Sequence, residues 1–287
     1  MGAPSSSSQR TPIELTASFR PRPAARHAVF DFDGTLSLVR GGWAEVMLAM
    51  FVERAPAPTG ISRCSWREIL ADDIRRLAGK PTSHQMERYV MRVAEHGHTV
   101  ESAACQLAEF RRRLADVIAG RIAAVRAGTL SVQRLAVPGA GDLLAALTAR
   151  GLTLHLVSGT EESAVREEAA LLGFSRYFGE RIHGPRHDGD GFTKRVAIER
   201  IATEAGGNGD QLISFGDGPI EISDTRRVGG LAIAVASEES GNRPGEVDAA
   251  KRALLLEVGA DAVIPDYHDM PALLAAIFGA TPGKGMA

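Results

Sequence analysis

The chain has 287 residues, 44% of them hydrophobic and 24% charged, with a formal net charge of −2. That length holds one large domain or two modest ones with a real core, and the near-neutral charge excludes the basic excess of a general nucleic-acid binder. The two cysteines, Cys64 and Cys105, provide neither a disulfide framework nor a thiolate-rich metal site, which fits a reducing cytoplasm.

Residues 1–25 are rich in Ser, Pro and Arg. They carry no apolar periodicity and no apolar secretory core, so a disordered tail is expected there. The first strand follows as "AVFDF" (28–32), closed by Asp31, Asp33 and the turn residue Gly34. Residues 40–136 then contain no convincing strand. Four amphipathic stripes occupy this block: Val46, Met47, Met50 and Phe51; Trp66, Ile69, Leu70, Ile74 and Leu77; Met86, Tyr89, Val90 and Val93; and Leu107, Phe110, Leu114, Val117, Ile118, Ile122 and Val125. Spacing of three and four residues makes each stripe one face of a helix, so the block reads as a helical bundle.

From residue 137 a strand–helix rhythm resumes. "VPGAGDLLAALTARG" is a helix with Pro138 at its start and Gly151 as its stop. "LTLHLVS" (152–158) is a strand, followed by the helix "EESAVREEAALLGF". The helix "KRVAIERIATEAGG" leads into strands "QLISFGD" (211–217), "LAIAVAS" (231–237) and "DAVIPD" (261–266). Near-continuous apolar strands alternating with helices predict a parallel sheet covered on both faces. The expected core is 26–39 together with 137–287, with the helical block 40–136 inserted after the first strand. No apolar run approaches the ~20 residues needed to cross a bilayer.

Ligands of a parallel α/β sheet bind at the carboxyl ends of its strands. Those ends carry Asp31 and Asp33, then Ser158 with Gly159 and Thr160, then Asp217; Asp266 closes the last strand at the expected periphery. Clustered carboxylates without His or Cys suit a hard cation, Mg2+ above all, rather than zinc. A hydroxyl followed by glycine and a helix start suits a phosphate, with the amides of Gly159 and Thr160 directed at it. Lys194 would balance the charge. Two acids, a divalent cation, an amide nest and a lysine describe phosphoryl transfer, in which one carboxylate attacks phosphorus and the other handles the proton.

The motifs "DFDGTL", "LHLVSGT", "TKRVAIERI" and "ISFGDGPIEISD", in this order, resemble the four motifs of the haloacid dehalogenase (HAD) superfamily. The likeness covers residues 27–37 and about 137–270, and the helical block stands where that family carries a C1-type cap. The resemblance implies an α/β, Rossmann-like parallel sheet core covered by helices, with an inserted all-helical cap domain. It implies Asp31 as nucleophile, Asp33 as general acid and base, Ser158 and Lys194 as phosphate binders, and Asp217 as a Mg2+ ligand, with further metal contacts from the Asp31 carboxylate and the Asp33 carbonyl. The family's fourth motif usually ends in aspartate, whereas Glu221 stands at that position here. Glu221 is favoured as the second acidic contributor over Asp224, one helical turn further on.

The expected activity is a Mg2+-dependent phosphatase of a small phosphorylated metabolite such as a sugar, cyclitol or small acid phosphate. The rivals are a phosphomutase on the same scaffold and a non-catalytic phosphometabolite-binding protein. A cap favours a small substrate over a phosphoprotein, and Asp33 disfavours dehalogenation, which needs no leaving-group acid. Arg40, after the first motif, and Lys80, Thr82 and Gln85, in a polar break between two cap helices, are the candidate substrate contacts. No nucleic acid and no membrane is expected as a partner, and the chain is read as a cytoplasmic monomer or homodimer.

Overall fold

A computed structural model describes residues 12–77, 82–186, 191–207, 209–239 and 244–279. The chain divides into two compact units, residues 1–39 with 131–287, and residues 40–130. Among the described residues no helix is long and apolar enough to cross a membrane.

The first unit is built on a seven-stranded sheet: β1 (Glu14–Leu15), β2 (His27–Phe30), β3 (Thr153–Val157), β4 (Ile182–His183), β5 (Leu212–Gly216), β6 (Leu231–Val235) and β7 (Ala262–Ile264). Its order is β1-β7-β6-β5-β2-β3-β4, and every pairing is parallel except β1 with β7. The apolar runs become strands because both faces are covered: β5 and β6 are buried at every residue. At the centre Phe30 pairs in register with Leu156 and Phe215. Its ring stacks on Phe215 at 4.7 Å and meets the edge of Phe178 at 6.2 Å. Each such buried ring contributes about 1.5–3 kcal/mol of burial free energy.

Helices alternate with these strands: α5 (Ala140–Ala149), α6 (Glu162–Leu171), α7 (Ser175–Phe178), α8 (Lys194–Glu204), α9 (Pro219–Arg227), α10 (Ala249–Glu257) and α11 (Met270–Phe278). β2 lies between β3 and β5, so successive connections leave it in opposite directions along the sheet. A crevice opens at such a switch point, outside the carboxyl ends of the strands. The expected α/β, Rossmann-like class is the observed one.

Among the described residues the second unit holds four helices, α1 (Trp43–Arg54), α2 (Arg63–Arg76), α3 (Thr82–Glu95) and α4 (Ala103–Arg126). The first three stripes and the start of the fourth form a shared core around Met47, Met50, Phe51, Trp66, Tyr89 and Phe110, whereas Val117, Ile118, Ile122 and Val125, in the second half of α4, are only half-buried and are not part of it. Tyr89 stacks on Phe51 at 3.9 Å and donates its hydroxyl to the Phe51 carbonyl at 3.0 Å, and Trp66 Nε1 donates to the Ala55 carbonyl at 3.1 Å. Asp73 is held by Arg88 at 3.1 Å and Arg92 at 2.7 Å, which compensates a carboxylate inside the bundle.

Three boundaries differ from expectation. Residues 12–25 do not form a loose tail. Glu14 and Leu15 add an antiparallel edge to β7, Ser18 Oγ donates to Asp261 Oδ1 at 2.8 Å, and the Arg22 amide donates to the Ile277 carbonyl. Edge-strand pairing holds a polar segment that has no apolar core of its own. The helical unit ends at residue 130 rather than 136: Leu135 is buried, its carbonyl accepts the Leu38 amide, and the Val137 amide donates to the Leu36 carbonyl. Helix α5 starts at Ala140, not Pro138, because Gly139 takes a left-handed conformation (φ 78°) as its N-cap. A β-carbon at Gly139 would lie 2.6 Å from the Tyr267 carbonyl oxygen, so glycine is required there twice over.

Candidate active site

Asp31 follows β2, and its amide continues the ladder by donating to the Phe215 carbonyl at 2.9 Å. Three amides, of Thr35, Leu36 and Ser37, then converge on the Phe32 carbonyl, which closes a tight turn. Gly34 sits in this turn at φ +73°, and its carbonyl accepts Ser237 Oγ at 2.7 Å. The turn separates the two acids. Asp31 is buried and points to the centre of the sheet edge, where Lys194 Nζ reaches its Oδ1 at 2.8 Å. Asp33 instead accepts Thr160 Oγ1 on Oδ2 at 2.8 Å.

Lys194 is the first residue of α8, whose N-cap is the Thr193 hydroxyl. Besides Asp31 it bridges Glu221 Oε2 at 3.1 Å. Glu221 lies in the first turn of α9 and also accepts the Gly218 amide at 2.6 Å. Its side chain passes over Gly216, where a β-carbon would lie 2.2 Å from Glu221 Cγ. Asp217 faces the same space: oxygens of Asp31, Asp217 and Glu221 lie within 4.8 Å of one another. Asp224 does not join them. It is paired with Arg195 at 3.2 Å and Arg227 at 3.1 Å, between α8 and α9. Asp266 likewise serves the backbone, accepting the Gly245 and His268 amides at 2.6 and 2.8 Å.

Ser158 is buried at the end of β3, and its Oγ accepts the Thr160 amide at 3.0 Å. It caps no helix: α6 begins at Glu162 after Glu161. A hydroxyl that accepts one hydrogen bond still keeps a proton to donate. The Thr160 amide is spent inside the loop, so of the expected amide pair only that of exposed Gly159 remains for a ligand. The loop rests on Gly184, where a β-carbon would lie 2.5 Å from the Thr160 carbonyl oxygen. Nothing in the local pattern of Gly184 marks that contact.

Two further charged residues were not anticipated. Lys251, in the first turn of α10, donates to Asp217 Oδ2 at 2.8 Å and to Glu239 Oε1. Glu239 follows β6, and applying the strand-end rule to "LAIAVASEE" would have found it. Lys251 has no such signal, since it arrives from a helix 34 residues after Asp217. Among the described residues, five carboxylates (Asp31, Asp33, Asp217, Glu221, Glu239) stand around this edge with two ammonium groups.

The electrostatics follow from that imbalance. Burial pushes the Asp31 carboxyl well up, and the Glu221 and Asp217 charges add to the effect against the opposing pull of Lys194. Burial works against the Lys194 charge, but Asp31 and Glu221 outweigh it and hold the ammonium above its ordinary range. The Lys251 ammonium is held up by Asp217 and Glu239 in the same way. An under-compensated, all-oxygen set with no His or Cys ligand fits a hard divalent cation.

Of the candidate cap residues, Arg40 opens the helical unit and Thr82 opens α3. Lys80 lies outside the described residues. Gln85 departs from expectation: it is buried, and its Nε2 donates to the Leu77 carbonyl at 3.3 Å, which ties α3 to the end of α2.

Residues 25–223 match the family model of haloacid dehalogenase-like hydrolases. No curated protein matches the chain significantly. Among solved structures the chain is similar to a conserved haloacid dehalogenase-like protein of unknown function from Agrobacterium tumefaciens, at 19% identity and TM-score 0.63, over 88% of this chain and 98% of that one. It is also similar to a HAD family hydrolase from Deinococcus radiodurans with bound phosphate and sodium, at 18% identity and TM-score 0.57, over 91% and 99% of the two chains. A third is a predicted phosphoglycolate phosphatase from Haemophilus somnus, at 14% identity and TM-score 0.57, over 87% and 98%. These likenesses carry the fold, and the family match spans β2, the helical insertion, the strand ends that carry Asp31, Ser158 and Asp217, and the start of α8 with Lys194. The chain belongs to the haloacid dehalogenase-like hydrolases.

Proposed function

We propose that the protein is a phosphatase of a small phosphorylated metabolite that works through an aspartyl-phosphate on Asp31. The observation that carries this reading is the bridge from Lys194 Nζ to Asp31 Oδ1 (2.8 Å) and Glu221 Oε2 (3.1 Å), with Asp33 held apart on Thr160. Lys194 fixes one carboxylate oxygen of Asp31, and the carboxylate attacks phosphorus as the bond from phosphorus to the ester oxygen breaks. Asp33 delivers its proton to that departing oxygen. A water molecule then gives a proton back to Asp33 and attacks phosphorus, which releases phosphate and regenerates Asp31. Ser158, through its remaining hydroxyl proton, and Lys194 bind the phosphate oxygens, with Gly159 placing a backbone amide beside them.

Asp31, Asp217 and Glu221 are the side chains that would hold Mg2+, and the Asp33 carbonyl is proposed as a further ligand. When bound, the cation neutralises charge on the phosphoryl oxygens. Arg40, Lys80 and Thr82 are proposed as cap contacts for the rest of the substrate, and the enzyme is placed in the cytoplasm as a monomer or homodimer.

The test is a phosphate-release screen with Mg2+ over sugar, cyclitol and small acid phosphates. Release from a subset, suppressed by EDTA and restored by Mg2+, supports the reading. Formation of an isomer without free phosphate would instead identify a phosphomutase, and metal-independent release would overturn the metal assignment.

A further inference from the structure

Lys251 has no part in the mechanism above, yet its ammonium occupies an oxygen of a proposed metal ligand. It donates to Asp217 Oδ2 at 2.8 Å and at the same time to Glu239 Oε1. Its backbone is fixed, because the Asp248 carboxylate at the N-cap of α10 accepts the Ala250 and Lys251 amides at 2.9 and 3.0 Å. Glu239 lies close against the turn after β2: a β-carbon at Gly34 would lie 2.9 Å from Glu239 Oε1. All three side chains are largely shielded, with 21% of Lys251, 17% of Asp217 and 15% of Glu239 exposed. A purely structural ion pair has no reason to share a carboxylate with the acidic cluster. A pair placed to act on that cluster has to.

We propose that Lys251 is an internal counter-cation for Asp217, and that Glu239 is the carboxylate to which its ammonium withdraws when a divalent cation takes Asp217. This rests on the reading of Asp217 as a metal ligand. Without a cation, Asp31, Asp217 and Glu221 repel one another, and Lys251 keeps Asp217 in place. With a cation, a lysine paired to Asp217 alone would be stranded beside a positive charge. Glu239 already touches the ammonium, so the exchange needs a small displacement along an existing hydrogen bond rather than a new rotamer. The pair therefore sets metal affinity through two opposed effects: Lys251 weakens binding and Glu239 strengthens it.

The experiment is calorimetric titration of the full chain with Mg2+, without substrate, for the wild type, Lys251→Met, Glu239→Gln, the double variant and Asp217→Asn. Lys251→Met should bind about tenfold tighter or more, and Glu239→Gln about tenfold weaker. The double variant strands no lone buried charge and should lie closer to the wild type than either single change. Should Lys251→Met fail to fold, the weakening in Glu239→Gln and its recovery in the double variant still decide the matter. Weaker binding in both single variants marks an ordinary structural pair and overturns the proposal, as does unchanged binding in both. Unaltered affinity in Asp217→Asn, or no binding in any protein, overturns the metal reading itself and this inference with it.

Discussion

Gly34 lies directly against the carboxylate of Asp217: a β-carbon at position 34 would sit 2.1 Å from Asp217 Oδ2. The backbone there is also left-handed, at φ +73°. The turn that redirects Asp33 and the packing of a proposed metal ligand thus depend on one missing side chain. Gly34→Ala should lose about 1–3 kcal/mol of stability from the strained backbone and the clash. It should weaken Mg2+ binding as well, because Asp217 must move. Denaturant unfolding and a Mg2+ titration check the two effects, and unchanged metal affinity would separate Gly34 from Asp217.

The buried position of Asp31 makes its substitution informative. Burial and the neighbouring carboxylates push its carboxyl up, so neutral Asn removes a charge that the fold tolerates only with Lys194 beside it. Asp31→Asn should leave stability close to the wild type while phosphate release falls at least about a thousandfold. Asp33→Asn should fall nearly as far, since both proton transfers are lost. Turnover that persists in Asp31→Asn would remove the aspartyl-phosphate from the mechanism.

The sequence exposed this site because parallel strands covered on both faces are apolar runs, so the polar residue that ends each run stands out. That is how Asp31, Ser158 and Asp217 could be found by position alone. The strands that escaped, β1 and β4, have two residues each and no pattern to read. Glu239 obeys the same rule at one remove, since it stands four residues beyond the end of β6 rather than at it. Lys251 illustrates a real limit, because its partner is fixed by how α10 returns across the sheet edge. In the helical unit the stripes carried the architecture, while the burial of Gln85 against Leu77 depends on how α2 ends.

Thr160 offers a test of how Asp33 is held. Its hydroxyl donates to Asp33 Oδ2 at 2.8 Å, while its amide is anchored by Ser158. Thr160→Val keeps the shape and removes the donor. We expect kcat to fall about 10–100-fold with KM little changed, because only the orientation of the proton carrier is lost. The acidic limb of the pH–rate profile should shift as well, and Thr160→Ser should recover most of the rate. An equal loss in Thr160→Ser would point to packing of the methyl group instead.

His155 predicts an acid-sensitive fold. It lies buried in β3, stacked between His27 at 5.4 Å and His183 at 6.1 Å, with Nε2 and His27 Nδ1 3.1 Å apart. Burial, reinforced by the two histidines and by Arg181 and Arg200, lowers its pKa to about 3. Above pH 6.5 the imidazole is neutral in folded and unfolded chains alike and contributes no slope. As pH falls below 6.5 the unfolded chain takes up a proton that the folded chain refuses until about pH 3, so stability drops across that window. The loss from this residue is at most about 1.4 kcal/mol per pH unit, and His27 and His183, both lowered first by burial, steepen it. Unfolding free energies measured between pH 4 and 7 should show a shallower slope in His155→Gln than in the wild type, whatever the absolute stability of the variant. Parallel slopes would place the acid sensitivity elsewhere in the fold.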